Sequence, residues 1–97
     1  MISINHLILS SHKALLGAIP SKLRGLTIKF ENETLYWRCY FDEEPTEEEK
    51  EVLSIANTEV LADFPMMRFT EEEYKCYPYP LKMEMYQFWA YLRWEQN

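Results

Sequence analysis

The 97-residue chain carries 16 acidic and 10 basic side chains, a net charge of -6, and its 47% hydrophobic content suits a single domain over residues 1–97. No apolar run reaches the roughly 18 residues of a membrane span, and no basic residues precede the first apolar stretch as in a signal peptide, so we expect a cytoplasmic protein without a membrane partner. All 16 acids and six of the bases follow residue 30, so residues 31–97 should avoid nucleic acid and favour a basic protein partner.

The first part of the chain predicts a helix followed by a β-hairpin. Leucines at a helical spacing over residues 5–18 indicate a helix that ends near Gly17 and Pro20. Apolar and polar residues then alternate over residues 26–31, which is typical of a strand with one buried face. Residues 31–33 should turn the chain into a second strand, because Asn32 tolerates turn conformations. On that strand we expect two faces: Leu35, Trp37, Cys39 and Phe41 towards the core, and Tyr36, Arg38 and Tyr40 away from it.

The second part predicts one long helix and two more strands. A Thr-x-x-Glu capping box at Thr46 and Glu49 begins the helix, and Pro65 ends it near residue 64. Strands are expected over residues 70–76 and 86–95, separated by a break that contains two prolines. On the last strand we place one set of side chains in the core: Tyr86, Phe88, Ala90, Leu92 and Trp94.

The predicted order of elements is therefore α-β-β-α-β-β. We expect an α+β fold in which two hairpins form a four-stranded antiparallel sheet. Both helices should pack on one face of this sheet.

The most informative segment is the acidic block at residues 42–51, which holds seven carboxylates against one lysine. Helix capping and the helix dipole explain some of these acids, but not the three that precede Pro45. One interpretation is a solvated, solubilising face, and the other is a surface used in binding. On the second interpretation the candidate binding acids are Asp42, Glu43, Glu44, Glu47, Glu48 and Glu51. Further acids that could share the interface are Glu71, Glu72 and Glu73.

Residues that could carry catalysis do not form a recognisable constellation. His6 and His12 are six residues apart on the predicted helix, which turns them about 120° away from a common face and makes them poor joint metal ligands. Cys39 and Cys76 lie in apolar or aromatic contexts, and we expect both thiols to be buried rather than reactive or metal-bound. Two glycines are too few for a phosphate-binding loop. We therefore expect no enzymatic activity, no cofactor and no metal.

Aromatic side chains that should point away from the core offer a second set of binding candidates. Tyrosine and tryptophan often anchor protein interfaces, and Tyr36 and Tyr40 lie nearest in sequence to the acidic block. The same set contains Trp89 and Tyr91, with Tyr77 and Tyr79 beside the prolines. Alternatively, loops cover this second face of the sheet.

Residues 23–65 resemble small bacterial immunity proteins of the contact-dependent growth inhibition and polymorphic toxin type. The resemblance rests on five segments: Leu23-Arg24, Tyr40-Phe41-Asp42, Pro45-Thr46-Glu47-Glu48, Thr58 to Phe64, and Tyr91-Leu92-Arg93 near the end. It implies a non-enzymatic inhibitor that neutralises the C-terminal domain of one cognate toxin in the cell that makes both.

Many such toxins are nucleases, whose basic groove an acidic surface would complement. The alternative is an acidic, non-enzymatic adaptor or assembly protein that binds another basic partner. A small enzyme that uses the carboxylates is a third interpretation, and the oligomeric state stays open.

Overall fold

The computed structural model describes residues 2–95, which form two helices and four strands in the predicted order. Their bounds are α1 Ile4–Leu15, β1 Leu23–Glu31, β2 Thr34–Phe41, α2 Glu47–Asp63, β3 Phe69–Cys76 and β4 Phe88–Leu92. The α+β class and the order of elements are confirmed. Within residues 2–95, neither helix is long and apolar enough to cross a membrane.

The predicted hairpin of β1 and β2 is confirmed, and its turn has a clear local cause. Glu31 pairs with Thr34, so Asn32 and Glu33 alone connect the two strands. Both have positive φ angles, 52° and 61°, as a two-residue turn with the twist of a hairpin requires. Asparagine adopts this conformation readily, whereas it is uncommon for glutamate. The turn fixes the register that brings Ile28 opposite Trp37.

The prediction of an antiparallel sheet made of two hairpins is wrong, because the sheet is mixed and has the order β3-β2-β1-β4. β3 pairs with β2 in parallel, over a regular register from Thr34 and Phe69 to Phe41 and Cys76. The helix α2 connects these two strands. A helical crossover returns the chain to the end of the sheet at which β2 begins, so that β3 can run in the same direction. β3 and β4 lie on opposite edges, so they form no second hairpin.

A bulge in β4 overturns the predicted alternation of its side chains. Thr27 pairs with Trp89 and Leu26 with Tyr91, so Ala90 is an extra residue on β4. Tyr91 therefore packs against the core, while Leu92 is 52% exposed. Trp94, which follows the strand, is 83% exposed rather than buried as predicted. A period-two pattern cannot reveal an inserted residue.

The core contains buried side chains from both helices and from the sheet. Leu7 and Leu15 of α1 belong to one hydrophobic cluster with Leu53 and Val60 of α2 and with Trp37 of β2. α1 contacts α2 and β4, and α2 contacts β3. The predicted capping box at Thr46 begins α2 five positions after the end of β2, so the acidic first turn of the helix lies close to that strand in sequence.

Candidate protein-binding surface

Three segments distant in sequence meet at one end of the sheet. β2 and β4 are both antiparallel to β1, and β3 is parallel to β2, so the residues after these three strands emerge at the same end. The Tyr79 N–H donates to Asp42 Oδ1 at 2.8 Å, and Arg93 Nη2 donates to Asp42 Oδ2 at 3.0 Å. We call the surface formed by residues 42–51, 77–80 and 93–95 the acidic end.

Arg24, near the start of β1, stabilises the acidic end from inside the protein. Its side chain is 2% exposed, and its Nε and Nη2 donate to the two carboxylate oxygens of Glu95 at 2.7 and 2.9 Å. Its Nη1 donates to the Tyr77 carbonyl at 2.6 Å. The hydrogen bond from Arg24, helped by one from Arg93, holds the pKa of Glu95 below its usual value although burial acts in the opposite direction. Sequence patterns could not reveal this pair, because its members are 71 residues apart.

The contacts of Asp42 mainly stabilise the fold. The N–H of Tyr79 and the guanidinium of Arg93 hold the pKa of Asp42 below its ordinary value. The carboxylate connects the loop after β2 to the segments after β3 and β4. Contacts within the protein therefore account for Asp42 better than for the other five candidate binding acids.

The other five candidate acids are exposed to solvent along the loop and the first two turns of α2. Glu43 lies 3.7 Å from Lys22, and Glu47 lies 3.7 Å from Lys50, distances typical of weak surface pairs. Within residues 2–95, Glu44, Glu48 and Glu51 form no ion pair. The capping contacts use Thr46 and Glu49 instead. The structure thus brings five acids together that neither capping nor buried pairing requires.

A shallow groove of about 240 Å³ borders this acidic surface. One wall is residues 17–20, and the other contains Glu48, Glu49 and Val52. An apolar wall beside carboxylates suits a lysine or arginine side chain, whose methylene groups contact the apolar atoms while the charge reaches the acids.

The two predicted aromatic anchors lie apart from each other and in different surroundings. Tyr40 is 3% exposed, and its hydroxyl bonds to the backbone N–H and carbonyl of Glu84 at 3.1 and 3.0 Å. Tyr36 is half-buried, with Lys29 Nζ 4.7 Å from the centre of its ring. Tyr36 lies five positions, or about 17 Å of strand, from Phe41, the residue that precedes the acidic end. Their roles in binding stay predictions, and Tyr40 offers a partner almost no surface in this structure.

The segment between β3 and β4 covers Tyr40. Besides its contacts with Glu84, the segment bonds to the sheet through the Tyr86 N–H, which donates to Thr27 Oγ1 at 2.8 Å. Tyr86 also donates to Glu73 at 3.0 Å, and burial together with this bond raises its pKa to about 12. A loop therefore covers this part of the second face of the sheet, as the alternative interpretation of the aromatic residues expected.

Two other aromatic side chains are exposed at the acidic end. Tyr79 is 39% exposed and Trp94 is 83% exposed. The position of Tyr79 beside the prolines predicted that it is exposed. The exposure of Trp94 was not predicted, because the bulge in β4 breaks the alternation of side chains on which the prediction relied. Both are side chains of the kind that anchor protein interfaces.

The second set of acids, Glu71, Glu72 and Glu73, lies in the middle of β3. Glu71 is opposite Tyr36 in the sheet, and Glu73 accepts a hydrogen bond from Arg38 Nε at 2.8 Å. Glu71 and Glu72 are exposed. They form a separate acidic surface on an edge strand.

The histidines and cysteines considered as catalytic or metal-binding candidates lie on different elements of the fold. His6 and His12 are exposed on α1, and among residues 2–95 no group of three histidine, cysteine or acidic side chains could hold a metal ion. Burial raises the pKa of the Cys39 thiol well above its usual value, which keeps it protonated. The prediction that both thiols are buried is wrong for Cys76, which is exposed at the end of β3.

Comparison with known families supports the resemblance seen in the sequence. A family model described as MafI2 immunity protein matches residues 4–95, a span that includes all six elements and the whole acidic end. No functionally curated protein matches the chain. The family match does not specify contact-dependent growth inhibition, the toxin or the activity of the toxin.

Proposed function

Because the chain belongs to the MafI2 immunity protein family, we propose that it binds and neutralises one cognate bacterial toxin domain and has no enzymatic activity of its own. Family membership implies a toxin partner. We place the interaction in the cytoplasm of the cell that makes both proteins, and we treat residues 1–97 as a single binding module. A toxin of the contact-dependent growth inhibition or polymorphic type fits this proposal.

We propose that the acidic end contacts a basic cleft of the toxin. The observation that carries this proposal is a group of five exposed acids on the loop and helix start that follow Asp42: Glu43, Glu44, Glu47, Glu48 and Glu51. The contacts of Asp42 with Tyr79 and Arg93 hold the beginning of this loop. A nuclease must present positive charge to bind phosphates, so a clustered negative surface would compete with its substrate. The toxin is, on this account, a nuclease whose cleft the immunity protein occupies.

Aromatic side chains would supply affinity that exposed charges do not. An exposed ion pair contributes about 0–1 kcal/mol, whereas a few buried aromatic contacts commonly dominate an interface. Tyr79 and Trp94 lie at the acidic end and are accessible. Tyr36 can join the interface only if the toxin also covers the face of β2.

We also propose that both helices pack on one face of the sheet. The shared cluster of Leu7, Leu53 and Trp37 supports this arrangement. It would direct Tyr36 and Arg38 to the opposite face, where Tyr86 contacts both.

The test is the kinetics of association with the toxin domain encoded beside this chain's gene. Replacing Glu44, Glu47, Glu48 and Glu51 together by glutamine should slow association about tenfold at low salt and flatten its salt dependence, because electrostatic steering accelerates encounter by ten- to a thousandfold. The matched control changes four exposed acids elsewhere: Glu31, Glu33, Glu59 and Glu84. It alters net charge equally, so a smaller effect of the control assigns steering to the acidic end. Equal effects of the two variants would contradict the proposed location.

A further inference from the structure

β3 has an unpaired edge that is long and regular. It is the last strand of the order β3-β2-β1-β4, and its eight residues pair with β2 without a bulge. The other edge strand, β4, has five residues, contains a bulge and contacts α1. Short length, bulges and covering elements are the usual protection of a sheet edge against further pairing. β3 also contacts a helix, α2, but it is longer than β4 and has no bulge over a length of about 26 Å.

The hydrogen bonds show which backbone groups of β3 are directed outwards. The N–H of Phe69 donates to the Glu33 carbonyl, and the N–H of Tyr77 donates to the Phe41 carbonyl at 2.7 Å. In a parallel ladder, alternate residues bond to opposite sides. The odd-numbered residues therefore bond to β2, and the even-numbered ones direct their N–H and carbonyl groups away from the sheet: Thr70, Glu72, Tyr74 and Cys76.

The side chains beside this edge define the chemistry of a partner strand. Glu71 and Glu72 are exposed, and they lie on opposite faces of β3 because successive side chains alternate. A second copy of β3 would bring glutamates against glutamates, which disfavours pairing of this chain with itself. An extended segment rich in lysine or arginine would instead meet opposite charge on both faces.

We propose that β3 accepts an extended basic segment of the cognate toxin as a fifth strand of the sheet. This inference rests on the proposed function, since it takes the toxin as the partner. Main-chain hydrogen bonds to the even-numbered residues of β3 provide the attachment, and Glu71 and Glu72 select a basic sequence. The toxin would then contact two surfaces, the acidic end and the β3 edge.

Amide hydrogen exchange, measured residue by residue, tests this arrangement without any mutation. In the free protein, the amides of Glu71 and Glu73 should exchange slowly, and those of Glu72 and Tyr74 quickly. In the complex with the toxin domain encoded by the neighbouring gene, the amides of Glu72 and Tyr74 should slow at least about tenfold. Unchanged exchange at both in a complex that forms would overturn the inference.

A proline variant supplies an independent test with a matched control. Glu72→Pro removes an outward N–H from an edge strand, a position where proline is tolerated, and Glu72→Ala removes the same side chain but keeps the N–H. Relative to Glu72→Ala, Glu72→Pro should weaken toxin binding by about ten- to a hundredfold, since every 1.4 kcal/mol is tenfold. Equal affinities would overturn the inference even though binding itself persists. If the unaltered protein does not bind the toxin domain, the proposed function fails, and this outcome is distinct from the other two.

Discussion

Replacing Arg24 by methionine should destabilise the protein by about 3 kcal/mol. Arg24 makes three hydrogen bonds of 2.6 to 2.9 Å from a side chain that is 2% exposed. Breaking a buried ion pair on one side costs about 3–5 kcal/mol, chiefly because the remaining charge loses its partner. Glu95 would keep its bond from Arg93 at 2.9 Å, and its side chain is 15% exposed, so the lower end of the range applies.

Urea denaturation followed by tryptophan fluorescence would measure this loss, because Trp37 lies in the core. The control is Lys22→Met, which removes an exposed pair at 3.7 Å from Glu43 and should cost about 0–1 kcal/mol. Replacing both Arg24 and Glu95 by methionine should be less destabilising than Arg24→Met alone, since it also removes the largely buried carboxylate that Arg24→Met leaves with Arg93 as its one remaining partner among the described residues. A loss below about 1 kcal/mol for Arg24→Met would refute the assignment of this network as the support of the acidic end.

Two further predictions concern packing and pH. Gly25→Ala should lower the free energy of unfolding by about 1–3 kcal/mol, because the added Cβ would lie 2.8 Å from the Trp89 ring. An unchanged urea midpoint would contradict this close approach. Asp42 and Glu95 have lowered pKa values in the folded protein, so their stabilising effect is present above the unfolded pKa of about 4 and is lost as the pH falls through the folded value. Melting temperatures from pH 7 to 3 should therefore decline below about pH 5, and Glu95→Gln should reduce the slope; an equal slope in both proteins would exclude Glu95 as a source of the decline.

Local sequence signals predicted the elements that local interactions determine. Thr46 and Glu49 fix the start of α2 by their own hydrogen bonds, and the Asn32 turn fixes the β1–β2 hairpin. These contacts span three residues or fewer, so the pattern of a short segment contains the necessary information.

The arrangement of β3 and β4 depended on contacts that no short pattern contains. A helical crossover allows β3 to run parallel to β2, and the sequence of β3 alone does not distinguish this pairing from a hairpin with β4. The bulge at Ala90 shifted Tyr91 towards the core and left Leu92 exposed. Tyr40 alternates like a surface residue but is covered by a distant segment.

The acidic part of the candidate site was visible in the sequence, whereas its support was not. Clustering of the acids over residues 42–51 is a property of the sequence itself, and it indicated the candidate surface. The contacts of Arg24 with Glu95 and of Asp42 with Arg93 join residues 71 and 51 positions apart, and only the fold brings them together.

Co-expression of this protein with its toxin is the decisive test of the proposed neutralisation. The toxin domain encoded by the neighbouring gene would be induced in bacteria with this protein, with the variant that carries glutamine at Glu44, Glu47, Glu48 and Glu51, or with an empty vector. We expect growth with the unaltered protein, death with the empty vector, and reduced protection by the variant when its expression is limited. Death of the cells that contain soluble, unaltered protein would contradict the assignment of this chain as the immunity protein of that toxin.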